Sequence, residues 1–171
     1  MFSKKSLVLP IALVFLGFVG VSTAQDDAHC YTLASLNGTY GVIGEYGAHV
    51  AIALSTRHFD GKGNLTGAFT VNAPDPASTT GGRKLTTGTQ MGTYAVNCDG
   101  TGVFTRVLTV NGVTTNQLDD FVITAAKVKD RQLIATTIED AQRTPSAIVP
   151  GGVFLTRHYT RRPDAMDTDE D

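Results

Sequence analysis

Apolar and polar residues alternate along much of the chain after residue 36, in the period-two pattern of β-strands. In residues 50–55 (VAIALS), the large aliphatic side chains share one face and the small residues share the other. Phe121, Ile123 and Ala125 share a face in the same way. No stretch of comparable length has the spacing of an amphipathic helix, and Gly and Thr are frequent enough to disfavour helices. The pattern therefore predicts an all-β chain.

Eight runs are predicted as strands because they are rich in β-branched and aromatic residues and are bounded by turn signals. They span residues 38–46, 49–59, 64–72, 84–97, 102–110, 114–127, 132–139 and 152–160. Most of the connections are tight, such as Asp-Gly-x-Gly at 60–63 and 99–102 and Asn-Gly at 111–112.

Strands that follow one another through hairpins leave two unpaired edges in an open sheet, and closing the sheet removes both. We therefore predict an eight-stranded antiparallel up-and-down β-barrel, with a two-sheet β-sandwich as the alternative. The barrel domain should span residues 36–160, after an N-terminal segment at 25–35 that a disulfide tethers. An acidic tail at 161–171 is predicted to be solvated and disordered.

The amino terminus has the layout of a secretory signal peptide at residues 1–24. Lys4 and Lys5 precede an apolar run at 7–21, and small residues lead to a predicted cleavage site after Ala24. A membrane anchor is the alternative, but the run is shorter than the ~20 residues that a spanning helix needs, and Pro10 interrupts it. We expect a secreted or periplasmic protein with no membrane span in the mature chain.

Charge gives little indication of a macromolecular partner. The formal net charge is -2, and the 14 Lys and Arg residues are scattered rather than gathered into a basic stripe. A nucleic-acid partner is therefore not expected, whereas a small-molecule ligand remains possible. The sequence leaves the oligomeric state open.

Cys30 and Cys98 are the two cysteines of the chain. An exported protein meets an oxidising compartment, so we predict that they form a structural disulfide. A redox pair and a metal site are the alternatives, but neither has the C-x-x-C spacing that would support it. Closing so long a loop should stabilise the fold by roughly 4 kcal/mol in the chain-entropy model.

The sequence contains none of the local motifs of common catalytic or phosphate-binding sites. Its histidines, His29, His49, His58 and His158, have no chelating spacing, so neither a metal nor another cofactor is expected. Asp119 shares a face with Phe121. If that face is the core, Asp119 is a buried acid that needs a partner, although the sequence favours an exposed strand end.

Two similar tetrapeptides, Thr-Arg-His-Phe and Thr-Arg-His-Tyr, end the second and eighth predicted strands. In a barrel these strands flank the first strand and run in the same direction, so their ends should reach one rim. That rim could carry a cationic cluster of Arg57, His58, Arg157 and His158, with the two histidine Cα atoms within about 15 Å. The alternative, which the sequence favours, is that the repeat is accidental and the side chains are solvated.

Three stretches, LNGTYGV from Leu36, FDGKGNLTG from Phe59 and GTYAVNCDGTGVFT from Gly92, resemble a loose group of small exported bacterial proteins. The shared features are a G-x-Y strand start, an F-D-G-x-G turn and a G-T-Y-x-V hairpin. The resemblance implies a small barrel of the lipocalin or allene-oxide-cyclase kind. It carries over no catalytic residue.

The sequence thus predicts an exported, non-enzymatic β-barrel that binds a small apolar or anionic ligand or acts as an envelope interaction module. Tyr40, Tyr46 and Asp119 join the rim residues as candidate ligand contacts. The alternative is a barrel cyclase or isomerase acting on a hydrophobic substrate, which would need a buried ionisable residue such as Asp119 or Glu139.

Overall fold

Each of the eight predicted runs forms a strand in the computed structural model, which describes residues 30–163. The strands are β1 (Gly38–Tyr46), β2 (Ala51–Phe59), β3 (Asn64–Pro74), β4 (Arg83–Val96), β5 (Thr101–Val110), β6 (Val113–Lys129), β7 (Gln132–Gln142) and β8 (Leu155–Arg161). A short 3-10 helix, Leu33–Leu36, precedes them. The last strand runs one residue beyond the predicted boundary at 160.

The strands close into an antiparallel barrel in sequence order, which confirms the predicted fold over the sandwich. β1 completes the closure, because it pairs with β2 on one side and with β8 on the other. At its end, Tyr46 lies opposite Ala51 of β2 and Leu155 of β8. Every strand therefore has two hydrogen-bonded neighbours, and the sheet has no free edge.

The Asp-Gly-x-Gly turns are held by their aspartates, as the sequence predicted. Asp60 accepts hydrogen bonds from the backbone N–H groups of Lys62 (2.7 Å) and Asn64 (2.9 Å) and from the Asn64 side chain (2.6 Å). These bonds, with the Asn64 side chain first among them, lower the pKa of Asp60 to about 2. Gly61 adopts the left-handed conformation that such a turn requires, with φ of 73°.

Alternation is interrupted once along β6, where the pairing with β7 shifts register between Ile123 and Ala126. The bulge turns Ala125 outward, while Phe121 and Ile123 face the interior. The predicted common face of these residues is therefore wrong for Ala125, because one extra residue inverts the side-chain parity that follows it.

The interior contains two apolar clusters, one towards each end of the barrel. One is aromatic, with Phe104 stacked on Phe121 at a centroid distance of 4.2 Å, and Leu36 of the 3-10 helix belongs to it. The other is mainly aliphatic and includes Val149 from the connection between β7 and β8. Chain segments outside the strands therefore contribute to the packing of both clusters.

Along β2 the small side chains face inward and the large aliphatic ones face outward. Ala51 and Ala53 are buried, whereas Ile52 and Leu54 are 49% and 61% exposed. An eight-stranded barrel has little interior volume. Small residues at these positions leave room for the large side chains that enter from the other strands.

Cys30 and Cys98 form a disulfide, with 4.5 Å between their Cα atoms. Next to it, the Tyr31 N–H donates to the carbonyl oxygen of Cys98 at 3.1 Å. The bridge thus ties the segment before β1 to the turn between β4 and β5. The predicted signal peptide and the acidic tail beyond residue 163 lie outside the described residues.

In the part of the chain that the structure describes, no helix is long and apolar enough to cross a membrane.

Candidate functional site

A layer of charged side chains separates the two apolar clusters. Its buried members are Arg57 on β2, Arg106 on β5, Asp119 on β6, Asp140 on β7 and Arg157 on β8. Strand alternation places them there: Arg106 lies between Phe104 and Leu108 on the inward face of β5, and Arg157 lies between Leu155 and Tyr159 on that of β8. The alternation that directs apolar side chains into the core therefore also places these charged side chains at its centre.

Glycines stand opposite all three buried arginines. The cross-strand partner of Arg57 is Gly67, that of Arg106 is Gly92, and that of Arg157 is Gly44. A Cβ atom on Gly44 would lie 3.0 Å from Cγ of Arg157, and one on Gly92 would lie 2.9 Å from Cα of Arg106. These positions are therefore too close to the arginine stems for a larger residue without a shift.

Asp119 is bound by two arginines. Arg106 donates to it through Nε (2.6 Å) and Nη2 (2.8 Å), and Arg157 donates through Nη2 (2.6 Å). Burial would raise the pKa of Asp119, but the charges of Arg157 and Arg106 outweigh burial, so the pKa is lowered. Asp119 is therefore an ionised acceptor at neutral pH and has no accessible proton to transfer.

Asp140 is held in a similar way from the other side of the layer. Arg157 Nε lies 2.8 Å and 2.9 Å from its two oxygens, and the Tyr159 hydroxyl also donates to it. Burial raises the pKa of Tyr159, so this phenol is neutral at physiological pH. Tyr159 consequently adds no negative charge to the layer.

Arg57 is the least compensated member of the layer. Its Nη1 donates to the Tyr159 hydroxyl and its Nη2 donates to Gln90 Oε1 at 2.9 Å, but both acceptors are neutral. Its closest carboxylate contact in the structure is Nη1 to Asp140 Oδ2, at 3.7 Å. Burial lowers the pKa of Arg57 to about 10, which still leaves the guanidinium charged at neutral pH.

The Nε atom of Arg57 has no acceptor. Among the buried side-chain nitrogen and oxygen atoms of residues 30–163, it alone lacks a hydrogen-bond partner. The buried layer as a whole contains three guanidinium groups and two carboxylates. One positive charge and one N–H donor are therefore left over in the same residue.

A cavity of about 30 Å³ adjoins this layer on the side of the aliphatic cluster. Its polar wall includes Arg57, Arg106, Arg157 and Gln90. Its apolar wall is formed by Tyr46, Ala53, Phe69, Val71, Leu108 and Leu155, with Ile148 from the β7–β8 connection. This volume accommodates one or two water molecules or a group of similar size.

The β7–β8 connection, residues 143–154, covers this end of the barrel. Ser146 organises it, because its Oγ accepts hydrogen bonds from the N–H groups of Ile148 and Val149, both at 3.1 Å. Its own N–H donates to the Val153 carbonyl at 2.8 Å. Val149 is only 2% exposed, so the connection is inserted into the barrel mouth rather than lying across it.

The predicted rim cluster of Arg57, His58, Arg157 and His158 does not form. The two arginines are buried in the interior, whereas the histidines face solvent, because neighbours on a strand point to opposite sides. His58 contacts Thr39 (3.2 Å) and His158 contacts Glu139 (2.6 Å) on the outer surface.

The two histidines are also staggered along β1. His58 is paired with Thr39, whereas His158 is paired with Ile43, four residues further along β1. The predicted Cα separation of the two histidines stays a prediction. The repeated tetrapeptides deliver their two arginines to one interior layer.

The remaining candidate residues that the sequence identified lie in different parts of the barrel. Tyr46 lines the cavity, whereas Tyr40 belongs to the aromatic cluster and donates to the Ala135 carbonyl at 2.9 Å. Asp119 is buried, so the exposed strand end that the sequence favoured for it is wrong. Glu139, proposed as a buried base, instead faces solvent beside His158.

Sequence reasoning missed Arg106, Asp140 and Gln90. Their signal is parity: Arg106 is two residues from Phe104, and Asp140 is two residues from Ile138, so both fall on inward faces. A charge on a strand usually marks the solvent face, so the sequence favoured exposed positions for these residues.

Comparison with known proteins adds no assignment. No family model matches the sequence, and no curated protein and no solved structure matches it significantly. The resemblance to small exported bacterial barrel proteins therefore stays a prediction. Within residues 30–163, no three His, Cys, Asp or Glu side chains are placed to hold a metal ion together.

Proposed function

We propose that the protein is an exported, non-enzymatic barrel that binds a small organic anion, with the carboxylate of the ligand seated against Arg57. The observation that carries this proposal is the buried Nε of Arg57, which has no acceptor in the described part of the chain. A ligand oxygen at this position would satisfy the donor and neutralise the remaining charge.

The cost of an uncompensated charge supports an anionic ligand over a neutral one. A buried charge without a partner costs several kcal/mol, even after the surroundings relax. Arg57 is 1% exposed, and its hydrogen-bond acceptors Tyr159 and Gln90 carry no charge. The carboxylate of Asp140 lies 3.7 Å from its Nη1 but is already paired with Arg157. A bound carboxylate would replace this unfavourable state with a charge-assisted hydrogen bond.

Size and charge support a monocarboxylate in particular. The layer has one guanidinium more than it has carboxylates, so a single negative charge balances it. The cavity of about 30 Å³ is too small for a ring or a phosphate ester, but it accommodates about two water-sized atoms, such as the two oxygens of a carboxylate. A carboxylate head group fits both limits.

Binding is favoured over catalysis because neither buried carboxylate is available as a base. Asp119 accepts from Arg106 and Arg157, and Asp140 accepts from Arg157 and Tyr159. An isomerase or cyclase would need at least one of them poised to exchange a proton near neutral pH. An exported protein is consistent with the disulfide, since such bonds persist in oxidising compartments.

Calorimetric titration of the mature protein with sodium acetate tests this function. We expect saturable binding, weakened at least tenfold in Arg57→Met, because a hydrogen bond to a charged group contributes roughly 1.5–3 kcal/mol. Arg143→Met is the matched control, since Arg143 is exposed and paired with Asp120 on the surface. Undetectable binding of acetate, propionate and butyrate would reject the proposal, and so would equal affinity in the two variants.

A further inference from the structure

A second, outer cavity adjoins the proposed head-group site. A groove of about 450 Å³ lies at the barrel mouth. Leu85, Val110, Val113 and Ile148 form the apolar side of its lining, and lysine, threonine and asparagine side chains form the polar side. Among the described residues, Ile148 is the only one that lines both this groove and the interior cavity. The side chain of Ile148 thus stands between the arginine layer and a solvent-accessible groove that has an apolar and a polar side.

We infer that the ligand is an alkyl monocarboxylate whose tail runs past Ile148 into this groove. The inference rests on the proposed function, since it takes Arg57 as the site of the carboxylate. It adds the chemical class of the rest of the ligand, the path that the tail follows and the residues that select its length.

The walls next to Arg57 determine the character of the tail. On the side of the aliphatic cluster, the cavity is bounded by Ala53, Phe69, Val71, Leu108 and Leu155. The polar side chains that also line the cavity, Ser55, Gln142 and Ser146, already form hydrogen bonds within the protein, so burying a second charged or hydroxylated group there would be costly. An unbranched hydrocarbon tail avoids that cost and gains free energy from its removal from water.

The groove arises from the strand pairing. β4 and β5 stop pairing at Thr89 and Thr109, whereas β4 continues to its start at Arg83, and β5 turns into β6 at Val110 and Val113. The tight turn at Asn111-Gly112, with φ values of 48° and 79°, ends the β5–β6 hairpin early. The overhanging end of β4 and the short β5–β6 hairpin leave an open seam at the barrel mouth.

Two exposed apolar residues lie beside the seam. Leu85 and Val113 are 67% and 66% exposed, although both lie close to the barrel mouth and line the groove. A hydrocarbon chain in the groove would cover them. Because the two residues line one groove, a ligand there would bury them together, as ligand-binding grooves do with contiguous apolar surface.

The β7–β8 connection has the sequence of a segment that can be displaced. Pro145 and Pro150 flank the inserted residues, and Gly151 and Gly152 follow in the left-handed conformation, with no atom within 4 Å of the Cβ position of either glycine. Rotation at these glycines would shift Ile148 without a clash at the hinge. The interior cavity and the groove would then form one channel.

Titration with acetate, butyrate, hexanoate and octanoate measures the tail contribution. We expect the affinity to rise about threefold to fourfold per methylene group until the tail extends past the groove. Leu85→Asp should weaken octanoate binding at least tenfold and leave acetate binding unchanged. Leu54→Asp is the matched control, because Leu54 is an equally exposed leucine on the outer face of β2.

The outcomes separate this inference from the proposed function. If acetate binds through Arg57 but affinity does not rise with chain length, the anion site stands and the tail path is rejected. The path is also rejected if Leu85→Asp and Leu54→Asp weaken octanoate binding equally. If no carboxylate binds, both are overturned.

Discussion

Nη1 of Arg57 and Oδ2 of Asp140 lie 3.7 Å apart, and the Tyr159 hydroxyl is hydrogen-bonded to both residues. The phenol thus occupies the position at which a direct ion pair would form. Asp140 is compensated by Arg157, which lies within 2.9 Å of both its oxygens, whereas Arg57 depends on neutral acceptors. Because of this asymmetry, Arg57 is the member of the layer to which a ligand can supply the missing acceptor and negative charge.

Replacing Arg57 with Met should leave the free energy of unfolding of the ligand-free protein unchanged or raise it by up to about 4 kcal/mol, because the change removes the uncompensated charge. Each partner of Arg57 keeps another donor after the change: Gln90 still accepts from Arg106, Tyr159 still bonds to Asp140, and Asp140 still pairs with Arg157. Urea unfolding of both proteins in carboxylate-free buffer measures the difference. A loss of 3 kcal/mol or more would mean that Arg57 is a structural residue.

Replacing Asp119 with Asn should, in contrast to Arg57→Met, destabilise the fold by roughly 3–5 kcal/mol. The change leaves three buried guanidinium groups, those of Arg57, Arg106 and Arg157, with a single buried carboxylate in the layer. Asp120→Asn is the control, because Asp120 is the solvent-facing neighbour of Asp119, paired with the exposed Arg143. Equal unfolding midpoints for the two variants would contradict the charge balance described above.

Asp60 should make a pH-dependent contribution to stability. Its pKa in the folded protein is about 2, below the ordinary value of 3.8, so the folded state favours the charged form. The stabilisation is fully present above the unfolded pKa and disappears as the pH falls through the folded value. The unfolding free energies of the native protein and Asp60→Ala should therefore differ at pH 6 and approach each other near pH 2. A difference that is constant with pH would show that the Asp60 hydrogen bonds do not depend on its charge.

Removing the disulfide should cost about 2–4 kcal/mol while the barrel still folds. The bridge spans a sequence separation of 68 residues, so its loss frees a long loop in the unfolded chain. It lies outside the strand pairing that closes the barrel. Cys30→Ser/Cys98→Ser should thus keep its β-sheet circular dichroism and unfold at a lower urea concentration. Loss of the sheet signal in native buffer would assign the bridge a larger role.

Most of the fold was predictable because alternation and turn chemistry are local. The Asp60 turn and the Asn111-Gly112 hairpin are specified by a few adjacent residues, and eight such units in a row favour closure. The outward turn of Ala125 was not predictable, since a bulge depends on the register of the facing strand. The alternating pattern also did not show which face of β2 was inside.

The site was predictable only in part. The repeated tetrapeptides identified Arg57 and Arg157, but the expectation that charges prefer solvent put them on the rim. Their true position depends on non-local pairing, in which each buried arginine stands opposite a glycine and two of them share Asp119. The layer would have been revealed by a specific pattern. In it, a charged residue lies two positions from a core aromatic residue, and a glycine occupies the paired position on the neighbouring strand.

The most direct test of the central claim is the Nε–Hε resonance of Arg57 in ¹H–¹⁵N NMR spectra, assigned as the signal that is absent in Arg57→Met. Because this N–H has no acceptor in the ligand-free structure, adding sodium acetate should move its proton resonance strongly downfield along a saturable curve. The resonances of Arg106 and Arg157, which already bond to carboxylates, should move less. An Arg57 resonance that stays in place at saturating acetate would contradict an anion site at this residue.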